Sequence, residues 1–498
     1  MATDIIAQGL ALKAGKYDRL KTWARLYPGV GPLFPTMASP PTFTRGTVTS
    51  SVDGSFNTGT VSQSANDLNT PTAYAPLYGA NFISSTDGGL NWWKPQNITS
   101  TTGSTGFSGP IRWRFMSDAP AIDFCFIERA GTHIAIIVDG QIMARKDVAI
   151  PANTGNVRYF RLDFGTNVTT YEVAQEYNTV TAAGTGYAVG DRITVNGGSG
   201  GAGGTGAVYQ VSQLSGSGVF SAHVLSRGSY TSQPTGTFSQ TSTTGSGTGF
   251  QMQAQFFYRR HSTRKMRQIE FIYTGPSTFI GLVIDAQSRM TSYRANRSLP
   301  KLVAIGDSIS AGTYLEYAGA SPPSQIAQRL GLWDQHVVSA AGGTGWNKDN
   351  GTNARWSHAN RVADMIGLGG DIYLFLGSQN DTAGTALETA ITSTVNQVLD
   401  ARPNAIAVGI GNINGSDATL AASIGNGWAN VRDQKRVRYI NNWSSSPDSR
   451  LFTNGVYWDG LYDVTDDASH PGGPGIDFWS YVAADAVGNA LYDIAAKL

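Results

Sequence analysis

Four short phrases in the last two hundred residues carry side chains suited to nucleophilic catalysis. Gly306-Asp307-Ser308-Ile309-Ser310 follows the apolar run Leu302 to Ile305. A serine just past a buried strand stands at the carboxyl edge of a sheet, where the amides of the following turn are free to donate to an anion, and a nucleophile belongs there. The plain alternative is a strand-ending turn, which also favours Gly, Asp and Ser. Ala341-Gly342-Gly343-Thr344-Gly345 and Gly377-Ser378-Gln379-Asn380-Asp381 follow two further apolar runs, and Asp467-Ala468-Ser469-His470 precedes the last helical stretch. A parallel sheet would bring all four loops to one edge.

Taken together and in this order, the phrases resemble the four sequence blocks of the SGNH (GDSL-type) hydrolases, over about the last two hundred residues. The resemblance implies an esterase on a flavodoxin-like three-layer α/β domain. Ser308 is a poor nucleophile until a base takes its proton, and His470 is the candidate base because imidazole changes charge near neutral pH. Asp467, three residues earlier, would accept the other ring N–H, fixing the tautomer and stabilising the imidazolium. Attack on an ester carbonyl creates an oxyanion, which needs preorganised donors worth about 3–4 kcal/mol each. By the family's pattern these are the backbone N–H of Ser308, the backbone N–H of a glycine in the second block, and the side-chain amide of Asn380. The asparagine that commonly introduces that glycine phrase is replaced here by Ser339 and Ala340; the donor is assigned to Gly343, with Gly345 as the alternative. Of the neighbours Asp466 and Asp467, only Asp467 has the family spacing to His470. Tyr314 and Trp346, which directly follow the first two blocks, are candidates for lining a substrate cleft, against the alternative of packed loop anchors. The chemistry requires neither a metal ion nor an organic cofactor.

The elements that must position these residues read as alternating strands and helices from residue 298 to 498. Strands are expected at Leu302 to Ile305, Val337-Val338, Ile372 to Leu376 and Ala405 to Val408. Helices are expected at Ser324 to Leu330, at Ala354 to Ile366, after the capping box Thr385-Ala386-Leu387-Glu388, and at the end of the run Ile476 to Leu498. That alternation predicts a parallel sheet covered on both faces.

Residues 42 to 297 have a different texture, that of an all-β jelly roll or sandwich. His133 to Val138 ends in the hairpin signal Asp139-Gly140, and Phe160, Leu162 and Phe164 alternate with polar residues. Inside lies a Gly/Ser/Thr-rich block, residues 179 to 255, in which Gly204-Thr205-Gly206 recurs as Gly247-Thr248-Gly249 and Tyr187 as Tyr230. The matching offsets predict two related β-units inserted into the β-domain, the alternative being a flexible glycine-rich loop. Its composition and short phrases resemble repeats of bacteriophage tail proteins. Residues 1 to 41, with an amphipathic pattern from Ile5 to Leu26 and then Pro32, Pro35, Pro40 and Pro41, read as a helical leader. It either packs on a later domain or attaches to a partner such as another tail protein.

Other candidate sites are weaker. Gly197-Gly198-Ser199-Gly200-Gly201 matches the GxSxG nucleophile elbow but has no helix to follow. His133, His223, His261, His336 and His358 are scattered without ligand spacing, and Cys125 is alone, which excludes an intrachain disulfide and offers no zinc site. Trp92, Trp93 and Trp113 fit either a sugar-stacking platform or core packing.

The chain has 498 residues, 36 Lys plus Arg against 35 Asp plus Glu, and 60 glycines. A formal charge of +1 excludes a field that would steer the protein onto nucleic acid or an anionic membrane. No 18-residue apolar run is present, and Met1 to Leu12 is too short an apolar stretch for a signal peptide. An accessory β-domain before a GDSL-type domain resembles bimodular carbohydrate esterases. The expectation is therefore a phage tail-associated esterase, in the virion or extracellular, that removes acetyl groups from a bacterial surface polysaccharide; tail spikes of this kind are commonly trimers. The alternatives are a lipase or thioesterase of the same family and a non-catalytic glycan-binding tail protein.

Overall fold

Apolar runs without alternation, such as Ile372 to Leu376, are satisfied only in strands covered on both faces. The computed structural model describes residues 17–46, 81–87, 90–96, 98–99, 105–106, 110–127, 132–145, 157–174, 178–198, 200, 203–255, 257–274, 278–284, 287–293, 296–312, 317–351, 353–377, 379–411, 417–441 and 473–498. Five parallel strands lie in the order His336–Ala340, Leu302–Gly306, Ile372–Leu376, Ile406–Ile410, Val437–Ile440. Every residue of the first four is buried. Alternate side chains serve opposite faces. Leu302, Ala304, Leu374 and Val408 pack with Ile326, Trp479 and Val487, whereas Val303, Ile305, Phe375 and Ala407 pack with Val362, Leu387, Ile391 and Leu420. Helices Pro322–Arg329 and Gly473–Lys497 thus cover one face, and Ala359–Leu368, Thr385–Ala401 and Ala418–Ala429 the other.

The helix expected from Ser324 starts two residues earlier, at Pro322, and two other starts differ for local reasons. The helix expected from Ala354 begins at Ala359. Arg355 folds back onto Asp349, its backbone N–H and guanidinium donating to the carboxylate at 2.7 and 2.8 Å, and His358 then caps the helix by accepting the N–H of Asn360. The capping box at Thr385 is not formed either. Gly384 is the cap, its N–H bonded to the Ser423 hydroxyl at 2.9 Å, and Glu388 accepts instead from Asn426 on the adjacent helix.

Before this domain, two antiparallel sheets face each other. One runs Thr42–Gly46, Val157–Asp163, Ala121–Ile127, Thr278–Val283; the other runs Met290–Ser292, Ile111–Ser117, Arg267–Thr274, His133–Val138, Gln141–Ile142. Between them Phe115, Phe124, Phe126, Phe160, Phe271 and Tyr273 form an aromatic core in which Phe124 stacks on Phe271 at 4.3 Å. Trp113 belongs to that core, so it is no sugar platform; the side chains of Trp92 and Trp93 lie outside the described residues. At the hairpin, Asp139 and Gly140 both take positive φ (50° and 76°), as a two-residue turn of this hand requires.

Strand alternation sends the other side chains outward. Arg112, Arg114 and Glu270 are buried against the α/β domain. Trp333 donates its indole N–H to Glu270 at 2.7 Å, Arg112 donates to the Trp333 carbonyl at 2.6 Å, and Arg114 pairs with both Glu270 and Asp334, whose carboxylate also accepts from Tyr293 at 2.9 Å. Breaking such a buried set from one side would leave charges uncompensated, so the contact resists separation.

The insertion forms a six-stranded antiparallel sheet reached through the paired strands Val168–Val173 and Phe257–His261. Its order is Asn178–Ala182, Gln251–Ala254, Phe238–Thr243, Arg192–Val195, Val208–Ser215, Gly218–Ser226. The first three strands in sequence and the last three are the two repeat units, and exchanging the units reverses the sheet order onto itself. The sheet therefore has a pseudo-twofold axis between Arg192–Val195 and Phe238–Thr243. The units are also exchanged in their contacts. The Tyr187 hydroxyl accepts the N–H of Phe250, just after the second Gly-Thr-Gly, while the Tyr230 hydroxyl accepts that of Ala207, just after the first. Gly204 sits so close to the opposite unit that a Cβ there would lie 1.6 Å from the Ser229 carbonyl oxygen.

Helix Asp18–Leu26 packs on the α/β domain through Leu20, Trp23 and Ala24. Trp23 donates to the Leu330 carbonyl at 2.9 Å, and Arg19 pairs with Asp371 at 3.2 Å. The pattern from Ile5 to Leu12 lies outside the described residues.

Candidate active site

Three of the parallel strands end level, with Gly306 opposite both Ala340 and Leu376. The loops that follow therefore leave the sheet side by side. Ser308 opens a single helical turn, Ser308–Ala311. Asp307 caps it, its carboxylate accepting the Ile309 N–H at 3.0 Å, and Gly312 closes it with φ 98°. The turn is too tight for any residue but glycine at 306, where a Cβ would lie 2.1 Å from the Ser310 hydroxyl. Asp307 is buried and Ser308 half-buried, so the hydroxyl-bearing residue is the one that meets solvent.

The second loop begins with Ala341 donating to the Gly306 carbonyl at 3.1 Å. Gly342 lies against the serine, since a Cβ on it would stand 3.6 Å from the Ser308 Cβ. Gly343 adopts φ 70° beside Asn350, whose amide holds the Gly342 carbonyl at 2.9 Å. The N–H of Gly345 is taken by the Lys348 carbonyl at 3.0 Å, whereas the Gly343 N–H has no acceptor among the described residues.

The third loop is braced to the second. Asn380 donates its side-chain amide to the Thr344 carbonyl at 2.9 Å. A primary amide has two hydrogens, so this bond orients the group and leaves one to donate elsewhere. Asp381 accepts the N–H groups of Trp346 and Asn347 at 2.9 and 2.8 Å, one on each carboxylate oxygen. Gly377, at φ 114°, gives Asp307 room: a Cβ there would lie 2.6 Å from its carboxylate. Ser308, the Gly342-Gly343 segment and Asn380 are thus carried on mutually bonded loops at one sheet edge. Asp467, His470 and Tyr314 lie outside the described residues, which resume at Gly473.

Trp346 does not line a cleft. It is 1% exposed, stacks on Phe375 at 4.7 Å and packs edge-on against Trp356 and Trp428. A ring of that size gains more from core burial than a loop tip could offer, and the packed anchor is what the structure shows. Gly197 to Gly201 stands in the insertion, where the chain continues into strand Val208–Ser215 and not into a helix.

Three supporting residues had no role in the sequence reading. Asp381 and Asn350 fix the two loops; Asp381 stood in the quoted third phrase, but only the fold shows what it binds. Arg361, fully buried, bridges the Ser339 carbonyl at 3.0 Å and the Ala354 carbonyl at 3.4 Å, tying the end of a strand to the return of the second loop. His336, the first residue of that strand, is buried and bonded to the Trp333 carbonyl at 3.0 Å. Burial, with Arg112 nearby, pushes its pKa well below the ordinary histidine value, so it is neutral. Among the described residues no group of three His, Cys, Asp or Glu side chains could hold a metal ion, and no helix is long and apolar enough to cross a membrane.

No protein-family model matches the chain, and no curated protein matches it. Among solved structures it is similar to a family two carbohydrate esterase from Clostridium thermocellum in complex with cellohexaose, at 11% identity and TM-score 0.44, covering 83% of this chain and 98% of that one. It is also similar to an acetyl xylan esterase from the rumen bacterium Butyrivibrio proteoclasticus, at 11% identity and TM-score 0.40 over 84% and 97% of the two chains. A third is a salicylyl-acyltransferase from a tetracycline biosynthetic pathway, at 12% identity and TM-score 0.41 over 82% and 93%.

Proposed function

We propose that the chain is a serine esterase of the SGNH type that removes O-acetyl groups from a bacterial surface polysaccharide. The observation that carries this reading is the level ending of the three strands at Gly306, Ala340 and Leu376, which sets Ser308 against Gly342 and ties Asn380 to Thr344. In the proposed reaction His470 takes the Ser308 proton as the hydroxyl oxygen attacks the acetyl carbonyl. The oxyanion is held by the N–H of Ser308, the N–H of Gly343 and the free amide hydrogen of Asn380. Collapse expels the sugar oxygen, which takes the proton from His470. Water then hydrolyses the acetyl-serine by the same path, releasing acetate. Asp467 orients His470 and stabilises its cation.

Gly345 is set aside as donor because its N–H is already bonded to Lys348. A phage tail setting is part of the proposal, supported by the phrases of the insertion, which resemble tail repeats. Near-zero net charge suits an uncharged glycan. The test is acetate release from acetylated bacterial polysaccharides by the full chain and its Ser308→Ala variant. Release that depends on Ser308 is expected; equal, slow release by both would leave a glycan-binding tail protein as the function. A panel of nitrophenyl esters from acetyl to palmitoyl separates a lipase, whose specificity would rise with chain length.

A further inference from the structure

In the insertion, the two outer strands of the sheet, Asn178–Ala182 and Gly218–Ser226, approach each other across the pseudo-twofold axis, where the Val219 N–H donates to the Ala183 carbonyl at 2.9 Å. Beside that contact lies a cavity of about 460 Å³. Its size is in the small-molecule range of roughly 300–1,000 Å³. The wall is rich in uncharged hydrogen-bonding groups, from Asn178, Thr179, Thr181, Ser215 and Ser221, and no charged side chain lines it. Phe220, 65% exposed, stands at the rim.

The floor breaks the internal symmetry. Tyr209 of the first unit and Met252 of the second are equivalent: they are 43 positions apart, as are the recurring phrases, they pair with Val224 and Val180 respectively, and both line the cavity. Methionine shows that packing at this position asks only for an apolar side chain. Tyr209 nevertheless brings a hydroxyl, which is buried and has no hydrogen-bond partner among the described residues. That hydroxyl lies beneath the floor and is closed off from the cavity, which leaves the polar wall and Phe220 as the groups a ligand meets.

We propose that this cavity is a glycan-binding site, taking a neutral sugar unit whose hydroxyls meet the Asn/Thr/Ser wall and whose apolar face lies on Phe220. Stacking on an aromatic ring together with hydroxyl and amide partners is the chemistry that recognises a pyranose, and the absence of charge on the wall excludes a uronic or sialic acid as the preferred unit. The site is in the insertion, apart from the loops around Ser308, so it would hold a polymer without taking part in ester cleavage. It does not depend on the esterase reading.

The experiment is calorimetric titration of the full chain with maltohexaose, cellohexaose and xylohexaose, with a hexameric oligogalacturonate as the charged comparison. Hydrolysis of nitrophenyl acetate is measured in parallel. At least one neutral hexasaccharide is expected to bind, and Phe220→Ala should weaken it by about tenfold while ester hydrolysis is unchanged. Thr179→Val, at the wall, should weaken binding without lowering the melting temperature. The inference is overturned if none of the three binds, if both variants bind as the parent does, or if the oligogalacturonate binds equally well. Loss of esterase activity with binding retained would sink the proposed function and leave this one standing.

Discussion

The parallel sheet at residues 302–440 and the curled sheet at residues 178–254 use glycine for different ends. In the first, four glycines at the loop edge sit at or beyond strand ends, and the room they leave is filled by side chains of the site loops: Ser310 at Gly306, Asp307 at Gly377, Asn350 at Gly343, Asp381 at Gly345. In the second, several admit the backbone of the opposite unit, while Gly245 and Gly247 make room for the side chains of Asp191 and Tyr187. A Cβ on Gly198 would lie 1.9 Å from the Thr235 carbonyl oxygen, and Gly204 and Gly228 are similarly pressed against the opposite unit. One sheet concentrates chemistry at an edge; the other locks two repeats together. A glycine-rich sequence therefore says nothing about catalysis until it is known what occupies the space beside each glycine.

Substitutions should separate these two economies. The largest effect is expected at the nucleophile: Ser308→Ala should lower ester turnover by roughly 10⁴- to 10⁶-fold with the melting temperature kept, measured on nitrophenyl acetate. Asn380→Ala should lower kcat by roughly 100- to 1000-fold with little change in KM; an effect mainly on KM would move Asn380 from the oxyanion to ground-state binding. Asp381→Asn keeps the size of the brace but offers only one acceptor to the two N–H groups of Trp346 and Asn347. Orphaning one of them costs about 1–3 kcal/mol, so turnover should fall about tenfold and thermal stability with it. At the small end, replacing residues 178–255 by a short Gly-Ser linker should change nitrophenyl acetate turnover by less than about twofold. A large loss there would tie the insertion to the catalytic edge and end the contrast.

Acidity offers a further separation. If His470 is the base, turnover rises with pH through an apparent pKa of about 6 to 7, and a flat profile from pH 5 to 8 would remove it. Stability should depend on pH through a different residue. His336 is neutral in the fold with a depressed pKa, so the unfolded chain binds a proton below about pH 6.5 that the folded chain does not. Melting temperature should therefore drop as pH falls below that value and level off above it. His336→Gln should flatten that dependence while leaving the turnover profile unchanged.

The sequence makes four of the five parallel strands legible because each is an apolar run that meets Gly or Ser, whereas Val437–Ile440, interrupted by Arg438, gives no such signal. What escaped depends on contacts between distant elements. Trp346 follows the second phrase as a cleft residue would, but Phe375, Trp356 and Trp428 from three other segments close over it. The capping box at Thr385 was matched by its letters, and lost to a hydroxyl from Ser423, 38 positions on. In the insertion the 43-residue offset revealed two units but not that each tyrosine serves the other's Gly-Thr-Gly, because a repeat in sequence carries no information on which copy a side chain meets.

The packing of helix Asp18–Leu26 on Gly473–Lys497 has a consequence in time. Trp23 and Trp479 share one core although roughly 450 positions separate them, and at about 5–20 residues per second a ribosome needs roughly 20 to 90 seconds to cover that distance. Through that interval Leu20 and Trp23 are made but lack the part of their surface that helix Gly473–Lys497 covers. The nascent chain must carry a partly exposed apolar helix until helix Gly473–Lys497 emerges, and a chain interrupted before residue 473 keeps that side of it uncovered, as a mark by which chaperones and proteases can distinguish an unfinished molecule from a finished one.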